Sequence, residues 1–243
     1  MAVGDSITVG YTDNPKWTAP YQFGFRSGLY TRLANSGMSF QFVGNSPEPW
    51  DGKFGVPKNV PSPDLRGLGQ DHCRGYGGKG TDFIATNINA WVATDAPDVV
   101  LLMAGINDIS PGSTAEPDSA EKNLSCMVSN IVDVHPNTRV IVAQITPYST
   151  FTAAIVKYNG YIKNILVPHF VAQGKFVSTV DQYTNLLAAG TTNIDASLFA
   201  NHINHPTATA YDRMAQTWFA GIQALDPLPK TQNKNSPRAF PLH

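Results

Sequence analysis

The chain has 243 residues, of which 42% are hydrophobic and 14% charged, and a net charge of -1. That is enough for a sizeable core in one domain, and barely enough for two small ones. Without a lysine or arginine stripe there is no footprint for a phosphate backbone, so no nucleic-acid partner is expected. Without an apolar run of roughly twenty residues, no membrane-spanning helix is expected either.

Cys73 and Cys126 are the only cysteines, which allows one disulfide or two free thiols. No signal peptide is read at the start, an opening that a secreted chain freed of its leader and a cytoplasmic chain would share. Low charge and aromatic-rich loops lean toward an extracellular or periplasmic setting. Asn123-Leu124-Ser125 matches a glycosylation sequon inside a helical pattern, where it means little.

In chain order, Met1–Val3 reads as a stub of strand running into Gly4. A helix is expected over Tyr21–Ala34, with Phe25, Leu29 and Leu33 on one stripe and Asn35-Ser36-Gly37 as its stop. Phe40–Val43 reads as a second strand, and Gly44–Gly80 as a long Gly/Pro/Asp-rich loop, a kind often functional. Thr81–Ala93 is expected to be helical, turning Phe83, Ile84, Ile88 and Trp91 inward. Val99–Met103, VVLLM, has the continuous apolar character of a central parallel strand.

The alternation continues with a helix over Ala120–Val134, a strand over Arg139–Ile145, and a long helix over Phe151–Val171 with a break near Gly160 or Pro168. Phe176–Val180 reads as the last strand and Asp181–His205 as a loop. Pro206 is expected at the first turn of a final helix, where its missing N–H costs nothing. The domain is drawn as 1–226, followed by a polar tail over 227–243. Five β–α alternations with right-handed crossovers specify an α/β fold, a three-layer α/β/α sandwich on a flavodoxin-like five-stranded parallel sheet. Its sites lie beyond the carboxyl ends of the strands.

Four segments fall at those ends: Gly4–Gly10, the loop near Gly78, Gly105–Asp108 and the loop before His205, and three of them hold side chains that could carry chemistry. Gly4-Asp5-Ser6 places a hydroxyl directly after the first strand; the same residues could simply be a turn or cap. Gly105-Ile106-Asn107-Asp108 ends the most apolar strand, where an amide can donate to an oxyanion or an Asn-Asp pair can make a turn. His205-Pro206 puts an imidazole ahead of the last helix, suited to take the proton of Ser6 or to cap. No G-x-S-x-G elbow is present.

Taken together, these blocks resemble the SGNH, or GDSL, hydrolase superfamily. Its first block is similar to Gly4-Asp5-Ser6-Ile7-Thr8-Val9-Gly10, its third to Gly105-Ile106-Asn107-Asp108, and its last to His205-Pro206-Thr207-Ala208-Thr209-Ala210-Tyr211. The second block, a lone glycine before a helix, is placed at Gly78, with Gly77 as the alternative register. The resemblance implies Ser6 as nucleophile and His205 as base. It implies the Ser6 N–H, the Gly78 N–H and the Asn107 side chain as oxyanion donors, and ester hydrolysis through an acyl-enzyme with no cofactor.

One departure stands out. The family's usual aspartate, three residues before the histidine, is here His202. A histidine supplies no fixed negative charge to orient the ring. A backbone carbonyl or Asp195 is expected to accept from His205 instead, with Asp5 bracing the turn. Phe40-Gln41-Phe42-Val43-Gly44 and the loop Gly75–Gly78 are most like the carbohydrate-esterase branch, the acetyl xylan esterases in particular. The implied substrate is an acylated small molecule or polysaccharide, with a general short-chain aryl or alkyl esterase as the alternative. Trp17, Trp50 or Tyr76 could stack on a sugar, or pack within the loops.

Three competing readings follow from the same residues. His72, Cys73, His202 and His205 are zinc-compatible, although the adjacent pair is awkwardly spaced. Histidine at position 202 would also suit a non-catalytic carbohydrate-binding protein on this fold. Cys73 lacks an evident base for a thiol role. No interface signature specifies an oligomeric state.

Overall fold

The computed structural model describes residues 1–12, 23–48, 63–109, 117–148, 153–200 and 204–225. The positions of Trp17, Trp50, His202 and the 227–243 tail lie outside them. Among the described residues, five strands form one parallel sheet: β1 (Ala2–Gly4), β2 (Arg74–Gly75), β3 (Val99–Met103), β4 (Arg139–Gln144) and β5 (Val177–Asp181). They lie in the order β2-β1-β3-β4-β5, the flavodoxin-like order, whose direction of winding reverses between β1 and β3.

The helices α1 (Ser6–Val9), α2 (Phe25–Asn35), α3 (Thr81–Asp95), α4 (Ile106–Ile109), α5 (Pro117–Val134), α6 (Ala153–Tyr161), α7 (Val167–Ala172) and α8 (Ala208–Gln223) connect and flank the strands. α2 packs on α8, and α3 packs on α5. Successive residues Val100, Leu101, Leu102 and Val140, Ile141, Val142 are all buried. Neighbours on a strand point to opposite faces, so this run of burial requires cover on both sides of the sheet.

The second strand departs from expectation. Phe40–Val43 adopts no strand; Phe40 and Phe42 pack at the margin of the core, and the Phe42 N–H donates to the side chain of Gln70 at 2.8 Å. The slot beside β1 belongs to Arg74–Gly75, in register with Val3 and Gly4. Arg74 holds that slot with a bidentate pair to Asp95 at 2.7 and 3.0 Å, both side chains buried.

Two helix boundaries differ for stated reasons. The final helix begins at Ala208, not Pro206, because Thr207 is its cap and accepts the Ala210 N–H at 3.4 Å. Pro206 instead bridges Phe199 in an antiparallel pairing. The long helix is not broken at Gly160 or Pro168; between α6 and α7 it widens into a π turn over Ile162–Leu166. A proline ring clashes with the carbonyl four residues earlier, and a wider turn ahead of Pro168 relieves that clash. α2 starts at Phe25, directly after Phe23 and Gly24 with positive φ of 55° and 58°; the expected start at Tyr21 lies outside the described residues.

A cavity of about 440 Å³ opens at the amino end of the sheet, lined mainly by apolar side chains such as Leu29, Leu33, Phe40 and Leu101. Ser6 and Asn107 follow the carboxyl ends of β1 and β3, at the other end of the sheet.

Candidate active site

The site is built outward from β1. Gly4 pairs on one side with Gly75 and on the other with Met103. A Cβ there would sit 2.1 Å from the Met103 carbonyl oxygen, so only glycine lets the three strands close up. The chain then turns. The Asp5 carboxylate accepts the Ile7 N–H at 2.9 Å, capping α1 and leaving Ser6 as its first residue. The turn is braced by Asp5, as its position next to Ser6 suggested.

Ser6 is 3% exposed, and its Oγ lies 2.8 Å from Nε2 of His205. With Nε2 receiving the hydroxyl proton, the neutral ring carries its own proton on Nδ1. The histidine is fixed from both flanks. Its carbonyl accepts the Ala200 N–H at 2.8 Å, and the Thr207 N–H donates to Leu198 at 2.8 Å. Its ring meets Tyr11 edge to face, with centroids 5.7 Å apart at 77°.

Burial raises the Asp5 carboxyl from 3.8 to about 7, against the opposing pull of the Ile7 N–H and the charge of His205. A buried carboxylate favours a nearby imidazolium, and the reverse holds as well. Asp108 is also raised by burial. Its carboxylate receives the Thr81 N–H at 3.0 Å and the Thr81 hydroxyl at 2.7 Å, which ties α4 to the start of α3.

The loop after β2 is held close by. Asn107, on α4, donates from Nδ2 to the Lys79 carbonyl at 2.9 Å. Gly78, one residue earlier, has φ +71° with open space around its α-carbon. The Gly77 N–H is already taken by Glu48 Oε2 at 2.9 Å. Among the described residues the Gly78 N–H meets no acceptor, so of the two candidate registers it is the one open to a ligand. Beneath, the Tyr158 hydroxyl donates to the Ala104 carbonyl at 3.0 Å, fixing the strand end from which α4 departs.

Asp195 is not brought to the imidazole among the described contacts. Its carboxylate caps the short turn at Ala196–Leu198, accepting the Ser197 N–H at 3.1 Å and the Ser197 hydroxyl. Local N–H and hydroxyl donors two residues away outcompete a distant ring for that carboxylate. Tyr76 is a packing residue, with its ring stacked on Trp91 at 5.0 Å and 11°. The Asn123 amide donates to Thr81 Oγ1 at 3.1 Å.

Of the zinc-compatible residues, His72 is exposed with Nδ1 3.0 Å from the Gly44 carbonyl, and Cys73 is buried in the core. Cys73 and Cys126 are both free thiols. Among the described residues, no group of three or more His, Cys, Asp or Glu converges as metal ligands. Likewise, among the described residues, no helix is long and apolar enough to cross a membrane.

Tyr11 and Glu48, which adjoin the histidine and the glycine loop, carry no motif of their own. The Tyr11–Glu48 contact joins residues 37 positions apart, on either side of α2, a pairing that composition and periodicity do not encode.

Residues 2–213 match the sequence profile of the GDSL-like Lipase/Acylhydrolase family. The fold is similar to that of a carbohydrate esterase family 3 protein from Talaromyces cellulolyticus, with a TM-score of 0.69 and 25% identity over 92% of this chain and 95% of that one. It is also similar to a Clostridium thermocellum family 3 carbohydrate esterase, with a TM-score of 0.64 and 27% identity over 90% and 92% of the two chains. A stretch of 83 residues is 35% identical to "Putative endoglucanase X" of Acetivibrio thermocellus, covering 34% of this chain and 34% of that protein. The match thus spans about a third of the length of that curated relative.

Proposed function

We propose that this chain, which belongs to the GDSL-like lipase/acylhydrolase family and so to the carboxylic ester hydrolases, is a serine esterase that removes short acyl groups, acetyl foremost, from carbohydrate hydroxyls. The observation that carries the reading is the 2.8 Å contact between Ser6 Oγ and His205 Nε2 at the carboxyl end of β1. It supplies a nucleophile and a base in hydrogen-bond reach. The carbohydrate part is supported by the two carbohydrate esterases at 25% and 27% identity.

The chemistry follows from the groups present. Ser6 Oγ attacks the ester carbonyl carbon while its proton passes to Nε2 of His205. The carbonyl oxygen gains a negative charge, which the Ser6 N–H, the Gly78 N–H and the Asn107 amide are suited to receive; one such donor is worth about 3–4 kcal/mol of barrier. The C–O bond to the sugar then breaks and the imidazolium returns its proton to the departing alkoxide. A water, deprotonated by the same imidazole, attacks the acyl-Ser6 ester and releases the carboxylic acid. Asp5 contributes negative charge to the imidazolium stage once it is ionised. A polymeric substrate does not cross membranes, so the proposal carries with it an extracellular or periplasmic location.

The test is a panel of acetylated xylan, acetylated monosaccharides and aryl esters of rising acyl length, run beside Ser6→Ala. The expected result is turnover of the sugar acetates, decline with acyl length, and loss of turnover in the variant. Preference for long acyl chains would overturn the substrate assignment; undiminished turnover in Ser6→Ala would overturn the mechanism.

A further inference from the structure

We infer that Glu48 is a positioning residue for this reaction, setting both the oxyanion loop and the wall of the catalytic imidazole through one carboxylate oxygen; the inference rests on the serine-esterase reading above. Glu48 Oε2 accepts the Tyr11 hydroxyl at 2.6 Å and the Gly77 N–H at 2.9 Å. These two donors belong to separate loops. Tyr11 follows α1, with its N–H on the Ser6 carbonyl at 3.0 Å, and its ring stands edge-on to His205. Gly77 immediately precedes Gly78 in the loop after β2. The same oxygen therefore joins the segment carrying the nucleophile to the segment carrying an expected oxyanion donor.

The surroundings are built for this junction. A Cβ at Gly77 would lie 2.7 Å from the Tyr11 hydroxyl and 2.9 Å from Glu48 Oε2, so the backbone approaches both groups more closely than a side chain permits. Glu48 is itself anchored along the edge strand. The Ser46 N–H donates to the Cys73 carbonyl at 3.0 Å, the Ser46 hydroxyl to the Gly75 carbonyl at 2.5 Å, and the Glu48 N–H to Ser46 Oγ at 3.3 Å. Tyr11 is held from behind, where the buried Tyr211 hydroxyl donates to its carbonyl at 2.8 Å. With both ends fixed, hydrogen bonds to a carboxylate are the strong kind, and the junction fixes the angle at which the Gly78 peptide and the imidazole face Ser6.

Both partners of Glu48 are donors, so the role needs an acceptor oxygen with two lone pairs and not a charge as such. Glutamine retains that oxygen and alanine does not. The experiment measures p-nitrophenyl acetate hydrolysis by wild type, Glu48→Ala, Glu48→Gln, Tyr11→Phe and Ser6→Ala, with thermal melts of each. Glu48→Ala is expected to lower kcat about 10- to 100-fold while KM moves by less than about threefold. Glu48→Gln should restore kcat to within about threefold of wild type. Tyr11→Phe, which keeps the ring and loses the hydroxyl, should lower kcat by a smaller factor at unchanged KM.

A kcat for Glu48→Ala within about twofold of wild type would overturn the inference, as would a folded Glu48→Gln as slow as Glu48→Ala. Should Glu48→Ala fail to fold, Tyr11→Phe decides: lowered kcat upholds the inference and wild-type kcat overturns it. Ser6→Ala separates the two levels. Hydrolysis persisting there would overturn the serine mechanism itself, whereas its loss there, beside unaffected Glu48 variants, overturns only the role of Glu48.

Discussion

The Asn107 amide donates to the Lys79 carbonyl at 2.9 Å, so the side chain at the end of β3 is fastened to the very loop that carries Gly78. Two expected oxyanion donors from different strands thereby hold a fixed relation to each other before any substrate binds. Such preorganisation is what makes a donor effective, since no reorganisation is needed as charge develops.

Asn107→Ala is therefore expected to lower kcat on p-nitrophenyl acetate by about 100-fold. The lost bond to Lys79 should also cost about 1 kcal/mol of stability, read as a lower melting temperature. A variant that keeps wild-type kcat would remove Asn107 from the reaction.

In the proposed mechanism Ser6 and His205 act on one proton, so their contributions are not additive. Ser6→Ala and His205→Ala should each lose nearly all turnover, and the double variant should be no slower than Ser6→Ala. A serine-reactive phosphonate should label the wild type at Ser6 and leave Ser6→Ala unlabelled. Labelling at another residue with matching loss of activity would point to a different nucleophile.

What could be read in advance was whatever local sequence controls. VVLLM was legible as β3 with its ends correct, because a strand covered on both faces needs an unbroken apolar run. The meeting of Ser6 with His205 could be anticipated because one lies just past β1 and the other shortly before α8, and the family pattern set these segments in order with Asn107 between them. The edge strand Arg74–Gly75 was not legible. It is two residues long, and one of them is an arginine buried only by virtue of Asp95, 21 positions away. The destination of Asp195 was missed because a cap two residues along competes with a ring held elsewhere. Glu48 and Tyr11 were missed because their contact depends on the path of a loop.

Asp5 gives the fold a measurable pH response. In the folded chain its carboxyl is raised to about 7 by burial, against an ordinary 3.8. Between those values the folded chain keeps a proton that the unfolded chain has released. The contribution of Asp5 to stability therefore falls as pH climbs from about 4 to about 7, and is level above that. Asp5→Asn keeps an oxygen for the Ile7 N–H and has no such slope. Its unfolding free energy relative to wild type, from urea titrations, should rise by at least about 1 kcal/mol between pH 5 and pH 7. Parallel pH dependence in the two proteins would contradict the assignment.

Gly4→Ala tests the close approach of β1 to β3. The new methyl would meet the Met103 carbonyl oxygen at 2.1 Å and Thr8 Oγ1 at 2.4 Å, and backbone cannot yield as a flexible side chain can. Destabilisation of about 3 kcal/mol or more is expected, read from urea unfolding. A wild-type midpoint would show that the strands have more freedom to separate than their pairing suggests.

The hydroxyl and the imidazole that meet at the sheet are 199 positions apart, one at the first strand and the other just ahead of α8. The pair therefore depends on long-range docking: until α8 packs on α2, local structure around β1 cannot bring the imidazole to the hydroxyl, so the pair reports tertiary assembly rather than local order.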